Sequence, residues 1–330
     1  MSGTKKALIG LGVILLVLVL AVGGIALGVR HAINSQIQHV PVTLDPSQIG
    51  AQSGESGSQS DQQDTGQLNF LILGSDSRES GGDPSDWQYG AGRSDVMMLV
   101  QLSGDRKSVN VMSIPRDSWV SIPGYGEAKV NAAYSFGGAS LTIQTVQDLT
   151  GVGIDHFAVV DFTSFEQMTD ALGSVTIDTV DGPQTMNGAE ALAFVRERKS
   201  LPHGDFDRVR RQQAWIQAIM SRVFEKDVLT SPQKVGQLAQ ILLAHSAVDE
   251  GLDVDSMVSL GLSLKDLRGP GVTFFTAPYT GTGTSADGQS IVVLDDSALA
   301  SLMDAWRKDD VKDYVANDPD IQSLKSGAVS

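Results

Sequence analysis

The feature that most constrains this chain lies at its start. From Ala7 to Val29 the sequence reads ALIGLGVILLVLVLAVGGIALGV, without one charged residue. As a helix rising about 1.5 Å per residue, the run covers roughly 34 Å, enough to cross a bilayer. A cleaved signal peptide has a shorter apolar core and a small-residue cleavage site, so residues 7–29 read as an uncleaved transmembrane signal-anchor. Lys5 and Lys6 precede the run, and only Arg30 follows it closely. By the positive-inside rule, residues 1–6 are cytoplasmic and everything beyond the anchor is extracytoplasmic.

The outer part is acidic. Three of the 24 Lys+Arg lie before His31, which leaves 21 against 39 Asp+Glu, a net charge of −18. Such a surface repels nucleic acid and argues against function by direct DNA binding. The chain has no cysteine. That excludes a small disulfide scaffold and fits a bacterial surface protein, so the expected location is the bacterial cell membrane, single-pass.

Residues 30–67 are rich in Ser, Gln, Gly and Asp. This composition buries no core and predicts a flexible tether. From 68 to 310 the chain reads as one domain, with 311–330 as a loose tail. LNFLILG (68–74), VMMLVQL (96–102) and SVNVMSI (108–114) have the length and apolarity of buried strands, the last two joined by the turn SGDRK. A helix is expected at 139–150, a strand at 154–162 and a helix from Thr163. Asn187 with Glu190 has the spacing of a capping box. Asp207 is read as the cap of a long helix whose Gln212, Trp215, Ile216, Ile219, Met220 and Val223 form one buried face. Further helices are expected at 232–246, 255–266 and 296–308, with strands near 271–277 and 290–294. The expected fold class is α/β: a central mixed sheet sandwiched by helices on both faces, preceded by one transmembrane helix.

Arginine is unevenly placed. Arg78, Arg93, Arg116, Arg196, Arg198, Arg208 and Arg211 all fall in loops or at the ends of expected elements. A guanidinium fork binds phosphate oxygens two at a time and keeps its charge, which suits these positions to holding anions; solvated salt bridges are the plainer reading. Asp76 follows the first strand and Asp95 opens the second. Carboxylates at neighbouring strand ends can share a hard cation such as Mg²⁺, which favours one or two carboxylates plus phosphate oxygens; a turn or cap role is the alternative for either alone. Arg196 and Arg198 share a side if the helix ends near Arg196. Arg208 and Gln212 share a helix face, with Arg211 close by. His156 and His203 are read as structural. Trp87, Trp119, Tyr125 and Tyr134 are read as core packing, with contact to sugar or lipid as the alternative.

The segments GSDSR (74–78), GRSDVMML (92–99), SIPRDSWVSIPG (113–124), KVNAAYSFGG (129–138), HFAVVDFTSF (156–165), MNGAEALAFVRERK (186–199) and DFDRVRRQQ (205–213) occur in this order. Together they resemble the LytR-CpsA-Psr family of bacterial cell-wall ligases, over about residues 68–223. Phe194 stands where the family often has Tyr.

The resemblance implies a phosphotransferase that moves a glycopolymer from a polyprenyl-pyrophosphate carrier onto a peptidoglycan sugar hydroxyl, releasing polyprenyl phosphate. It implies Mg²⁺ held by Asp76 and Asp95, and a pyrophosphate clamp of Arg116, Arg196, Arg198 and Arg208. Arg78, Arg93, Arg211 and Gln212 are further substrate-binding candidates. The lipid would lie in an apolar tunnel between sheet and helices. Two other readings stay open: a pyrophosphatase that hydrolyses the donor without transfer, and a non-enzymatic membrane-bound regulator such as a transcriptional attenuator. A surface protein is the alternative acceptor.

Overall fold

The computed structural model describes residues 38–42, 44, 66–75, 94–197, 201, 205–223, 225–229, 231–264, 271–318, 321 and 328–329. The apolar run 7–29 lies outside them; among the described residues no helix is long and apolar enough to cross a membrane.

The chain enters the sheet with β1 (Gln38–His39). The strands β2 (Leu68–Ser75), β3 (Ser94–Leu102) and β4 (Val109–Ile114) follow. They form an antiparallel meander, with Leu102 opposite Val109 across the turn expected from SGDRK. In that turn Ser103 Oγ accepts from the amides of Lys107 and Ser108 at 3.1 and 2.9 Å. A short hairpin, β5 (Trp119–Ile122) and β6 (Gly126–Lys129), leads into α1 (Ala132–Thr150). The backbone of α1 leaves helical geometry at Gly137 and Gly138, so its regular part starts at the expected residue 139.

Next come β7 (His156–Asp161), α2 (Phe162–Ala171), a second hairpin of β8 (Val175–Thr179) and β9 (Gly182–Met186), and α3 (Gly188–Arg196). Beyond them lie α4 (Asp205–Val223), α5 (Lys226–Leu229), α6 (Pro232–Ala244), β10 (Ser246–Val248) and α7 (Val254–Ser263). The chain finishes with β11 (Val272–Thr276), the hairpin of β12 (Tyr279–Thr284) and β13 (Ser290–Leu294), α8 (Asp296–Arg307) and α9 (Val311–Asn317).

The main sheet is mixed, with strand order β1-β10-β7-β2-β3-β4-β11. Its central strands are apolar on both faces because both are covered. Phe70 and Ile72 pack with Phe165 and Met168 of α2, Trp215 and Ile219 of α4, and Leu238 and Leu242 of α6. Leu71 and Leu73 point the other way, onto Ile143 and Val146 of α1 and Leu302 and Trp306 of α8. Polar bonds fix the register of these layers. Trp306 Nε1 donates to Asn69 Oδ1 at 2.8 Å, and Trp215 Nε1 donates to Thr169 Oγ1 at 3.0 Å.

Several expectations are corrected. Residues 38–42 do not belong to a tether. Val40 N donates to Val248 O at 2.8 Å, and Val40, Val42 and Leu44 pack on the α1/α8 layer; alternate apolar residues give this short segment one buried side. The stretch after Val311 is not a loose tail throughout. It forms α9 with Val311 and Val315 buried, and Val329 bridges to Thr179. Asp207 is not the cap of α4, which already starts at Asp205; it lies in the first turn, 3% exposed. The buried face of α4 is wider than expected and also takes in Gln213 and Gln217; the helix packs against β8, α3 and α2, and Gln213 bonds Ser113 at the end of β4. The side chain of Met220 lies outside the described set.

Candidate active site

Strand direction brings Asp95 and the loop that carries Arg116 to one edge. β2 runs parallel to β7, and β4 parallel to β11, while β3 is antiparallel to both β2 and β4. The C-terminal ends of β2, β4, β7 and β11 therefore meet the N-terminal end of β3. Ser75 pairs with both Ser94 and Asp161. Asp95 sits in β3 at the bulge opposite Gly74 and Ser75, and Arg116 lies just past the end of β4.

The loop that carries Arg116 is tied on every side. Pro115 O accepts from Ser118 N at 2.9 Å, Arg116 O from Asn131 N at 3.3 Å and Asp117 O from Val292 N at 2.9 Å. Arg116 Nε is 3.8 Å from Asp117 Oδ2, and Lys129 Nζ is 2.9 Å from Asp117 Oδ1. Only 15% of the Arg116 side chain is exposed. A guanidinium so restrained loses little entropy on meeting an anion.

Helix α4 closes over the same edge. Gln213 Nε2 donates to Ser113 Oγ at 2.6 Å, both groups buried at the end of β4. Gln212 beside it is 5% exposed. Arg211 turns onto α3: its Nη1 donates to Phe194 O at 2.9 Å, and its guanidinium lies 4.0 Å over the Phe194 ring. Desolvation draws the pKa of Arg211 below the usual arginine value, opposed by the charges of Asp207 and Glu197. Arg211 thus brackets the end of α3, two residues before Arg196.

Arg196 is the last residue of a well-defined helix. Glu190 N donates to Asn187 Oδ1 and Asn187 N to Glu190 Oε2, each at 2.9 Å, which is the expected capping box. Glu197 is extended, so α3 stops where the sequence reading ended it. Two contacts, Gln213 to Ser113 and Arg211 to Phe194, therefore link the end of β4, the first half of α4 and the end of α3. They bring Arg116, Gln212 and Arg196 to one region.

Arg208 lies in the first turns of α4 and Asp95 in β3, with side chains outside the described set; Asp76, Arg78, Arg93, Arg198, Trp87 and His203 lie outside the described residues altogether. His156 sits at the opposite end of β7. It stacks on Phe70 at 5.0 Å and contacts Asp249 Oδ2 at 3.2 Å, in keeping with a structural role. Tyr134 is buried, Trp119 half-buried and Tyr125 exposed. A surface cleft of about 360 Å³ between α1 and α8, lined in part by Thr150, Met303 and Arg307, includes none of the candidate arginines.

Among the described residues no three His, Cys, Asp or Glu side chains form a metal-holding group. Asp95 lies in β3 at the bulge, and Asp76, the other carboxylate of the expected pair, lies outside the described residues. Oxygen donors of this kind suit Mg²⁺.

The sequence reading missed Asp161, which ends β7 at the site edge and is 2% exposed. It also missed Gln213 and the Asp117–Lys129 pair. Gly124 and Gly126 between VSI and EAK were a hairpin signal that would have set Trp119 opposite Lys129 and so drawn Lys129 toward Asp117.

A family model described as the LytR_cpsA_psr family matches residues 37–308. The chain belongs to this family. The match starts one residue before β1, so the LytR_cpsA_psr unit includes the edge strand. Cell wall biosynthesis protein LcpA of Corynebacterium glutamicum is 31% identical, over 70% of this chain and 54% of its own length, so the chain spans just over half of that relative. Polyisoprenyl-teichoic acid–peptidoglycan teichoic acid transferase TagU of Bacillus subtilis is 29% identical, over 90% of this chain and 94% of its own. Among LytR_cpsA_psr-like solved structures, TagT bound to LI-WTA superposes with a TM-score of 0.57 at 26% identity, covering 82% of this chain and 99% of that one.

Proposed function

We propose that this protein transfers a glycopolymer from a polyprenyl-pyrophosphate carrier to peptidoglycan, outside the bacterial membrane in which residues 7–29 anchor it. The observation that carries the reading is the joining of the Arg116 loop, the first half of α4 and the Arg196 end of α3 at one sheet edge, together with relatives such as TagU, which is named as a teichoic acid transferase acting from polyisoprenyl-teichoic acid to peptidoglycan.

An acceptor sugar hydroxyl attacks the glycan-bearing phosphorus. The bond to the polyprenyl phosphate breaks, polyprenyl phosphate leaves, and the hydroxyl proton passes to solvent. Reactions of this type depend on positioning and charge neutralisation. Arg116, Arg196, Arg198 and Arg208 bind the pyrophosphate oxygens and stabilise charge on the leaving phosphate. Gln212 and Arg211, with Arg78 and Arg93, hold the donor in place. Asp76 and Asp95 would hold Mg²⁺, which supplies further positive charge at the pyrophosphate. The lipid would have to be admitted to the apolar layer between the sheet and α2, α4 and α6, whose side chains pack on one another as far as Ser113 and Gln213.

The test incubates the full chain with lipid-linked glycan and peptidoglycan fragments and identifies products by mass spectrometry. The expected product is a phosphodiester-linked adduct with free polyprenyl phosphate. Arg116→Ala and Arg196→Ala should each lower the rate about a hundredfold, on the order of 3 kcal/mol, with the melting temperature unchanged. Wild-type turnover in both variants would sink the clamp. Glycan phosphate released with no adduct would leave a pyrophosphatase instead.

A further inference from the structure

We propose that the stacked pair Tyr125 and Phe136 is a platform for a pyranose ring of the acceptor saccharide. That the saccharide is the acceptor rests on the transferase reading above; the platform itself rests on its geometry. Large aromatic side chains are normally withdrawn from water. Tyr125 is 56% and Phe136 43% exposed. Their rings lie together, centroids 4.7 Å apart and planes 17° from parallel, and Tyr125 Oη donates to Phe136 O at 3.2 Å.

The backbone holds the pair in place. Tyr125 stands between Gly124 and Gly126, with φ of 79° and 77°. Nothing lies within 4 Å of a Cβ added at either, so backbone conformation and not space calls for glycine. Phe136 comes immediately before the break in α1 at Gly137 and Gly138.

The platform is continuous with the arginine loop. In the β5–β6 hairpin, Val120 and Ile122 face the core, while Trp119, Ser121, Glu127 and Lys129 lie on the outer face. Trp119 Nε1 donates to Glu127 Oε2 at 3.3 Å. Lys129 bonds Asp117, the neighbour of Arg116. A strip of indole, carboxylate and ammonium thus runs along a four-residue strand, roughly 10 Å from first to last residue, between the Arg116 loop and the Tyr125 turn.

This chemistry fits a saccharide. One face of a pyranose ring presents C–H bonds that pack on the electron-rich face of an aromatic ring, and its rim carries hydroxyl and amide groups that need polar partners. A polyprenyl tail would need an unbroken apolar lining. An anionic membrane surface would be disfavoured by the exposed Glu127, two residues from Tyr125 on the same hairpin.

The test titrates the full-length chain, in detergent micelles, with chitotetraose by calorimetry, with no donor present. Saturable binding is expected, weakened about tenfold by Tyr125→Ala and by Phe136→Ala, kept by Tyr125→Trp and untouched by Val180→Ala on the distant β8–β9 turn. Circular dichroism melting should match wild type, since both rings are exposed. Absence of saturable binding, or equal binding by wild type and both alanine variants, overturns the platform. So does quenching of Y125W beyond wild type by brominated lipid after reconstitution into phosphatidylcholine–phosphatidylglycerol vesicles, which would assign the rings to the bilayer. The two readings fail separately. Chitotetraose binding without transfer would remove the transferase and leave the platform; transfer with unaltered acceptor KM in both variants would do the reverse.

Discussion

Gln213 and Ser113 show how much a single buried bond can set. Their 2.6 Å contact seats α4 on the end of β4, and neither side chain reaches water. Gln213→Leu removes the donor but keeps the bulk, leaving the Ser113 hydroxyl unsatisfied at a cost of about 1–3 kcal/mol. Urea melts should show a lower midpoint with an unchanged slope. Adding Ser113→Ala should cost less than the sum of the single changes, because the pair acts together. Asp309 makes a pH prediction. It has a φ of 59°, and its Oδ2 accepts from Gly104 N at 2.8 Å. Burial raises its pKa, and Asp105 adds to the rise. The folded state therefore holds this proton more tightly than the unfolded chain, and the stability it contributes is present in acid and lost as pH rises through the raised value. Asn keeps the acceptor and tolerates this backbone. Asp309→Asn should melt at or above the wild-type temperature at pH 7, with the gain shrinking as pH falls toward 4; a gain that grows in acid would contradict the assignment.

Among the elements, α3 is the one on which Arg196 depends. Its capping box is worth about 1 kcal/mol, so Asn187→Ala should lower stability by about that amount. Gly188→Ala should do more damage: a Cβ there would lie 2.3 Å from Glu166 O, and α3 would have to lift off α2. Thermal melts and transfer assays should both fall in Gly188→Ala, because the helix end that presents Arg196 moves with it. This helix was legible from sequence because its start is a local pattern, Asn187 with Glu190, and its end a change in chain chemistry. The meander β2–β4 was legible too, since uninterrupted apolar runs need two covered faces. The β8–β9 hairpin went unread although Asp181-Gly182 is a turn signal, because its strands alternate with polar residues and lack a strong apolar run. At the site, the positions of the arginines at element ends were readable. The Gln213–Ser113 and Arg211–Phe194 contacts that join those ends were not, because they link residues far apart in sequence through side-chain geometry.

For the molecule as a whole, β1 escaped the sequence reading because its alternation of Val40, Val42 and Leu44 is short and follows directly on the polar run after the apolar segment; its support is tertiary. A chain beginning at Gln67 would lose it and leave β10 as an open edge. Such a chain should melt lower and aggregate sooner than one beginning at His31. On the proposed topology, protease added to intact cells should remove the domain and spare residues 1–6; protection of the domain would reverse the orientation. The pairing of Gln38–His39 with β10 has another consequence. The polar stretch between β1 and β2 connects two strands of one sheet, so its length does not govern how far the site stands from the bilayer. If residues 7–29 anchor the chain as proposed, that distance belongs to residues 30–37, which span at most about 29 Å when fully extended. On the proposed anchoring, the site would stay within a short, bounded reach of the lipid, and would serve only those wall strands that come within it.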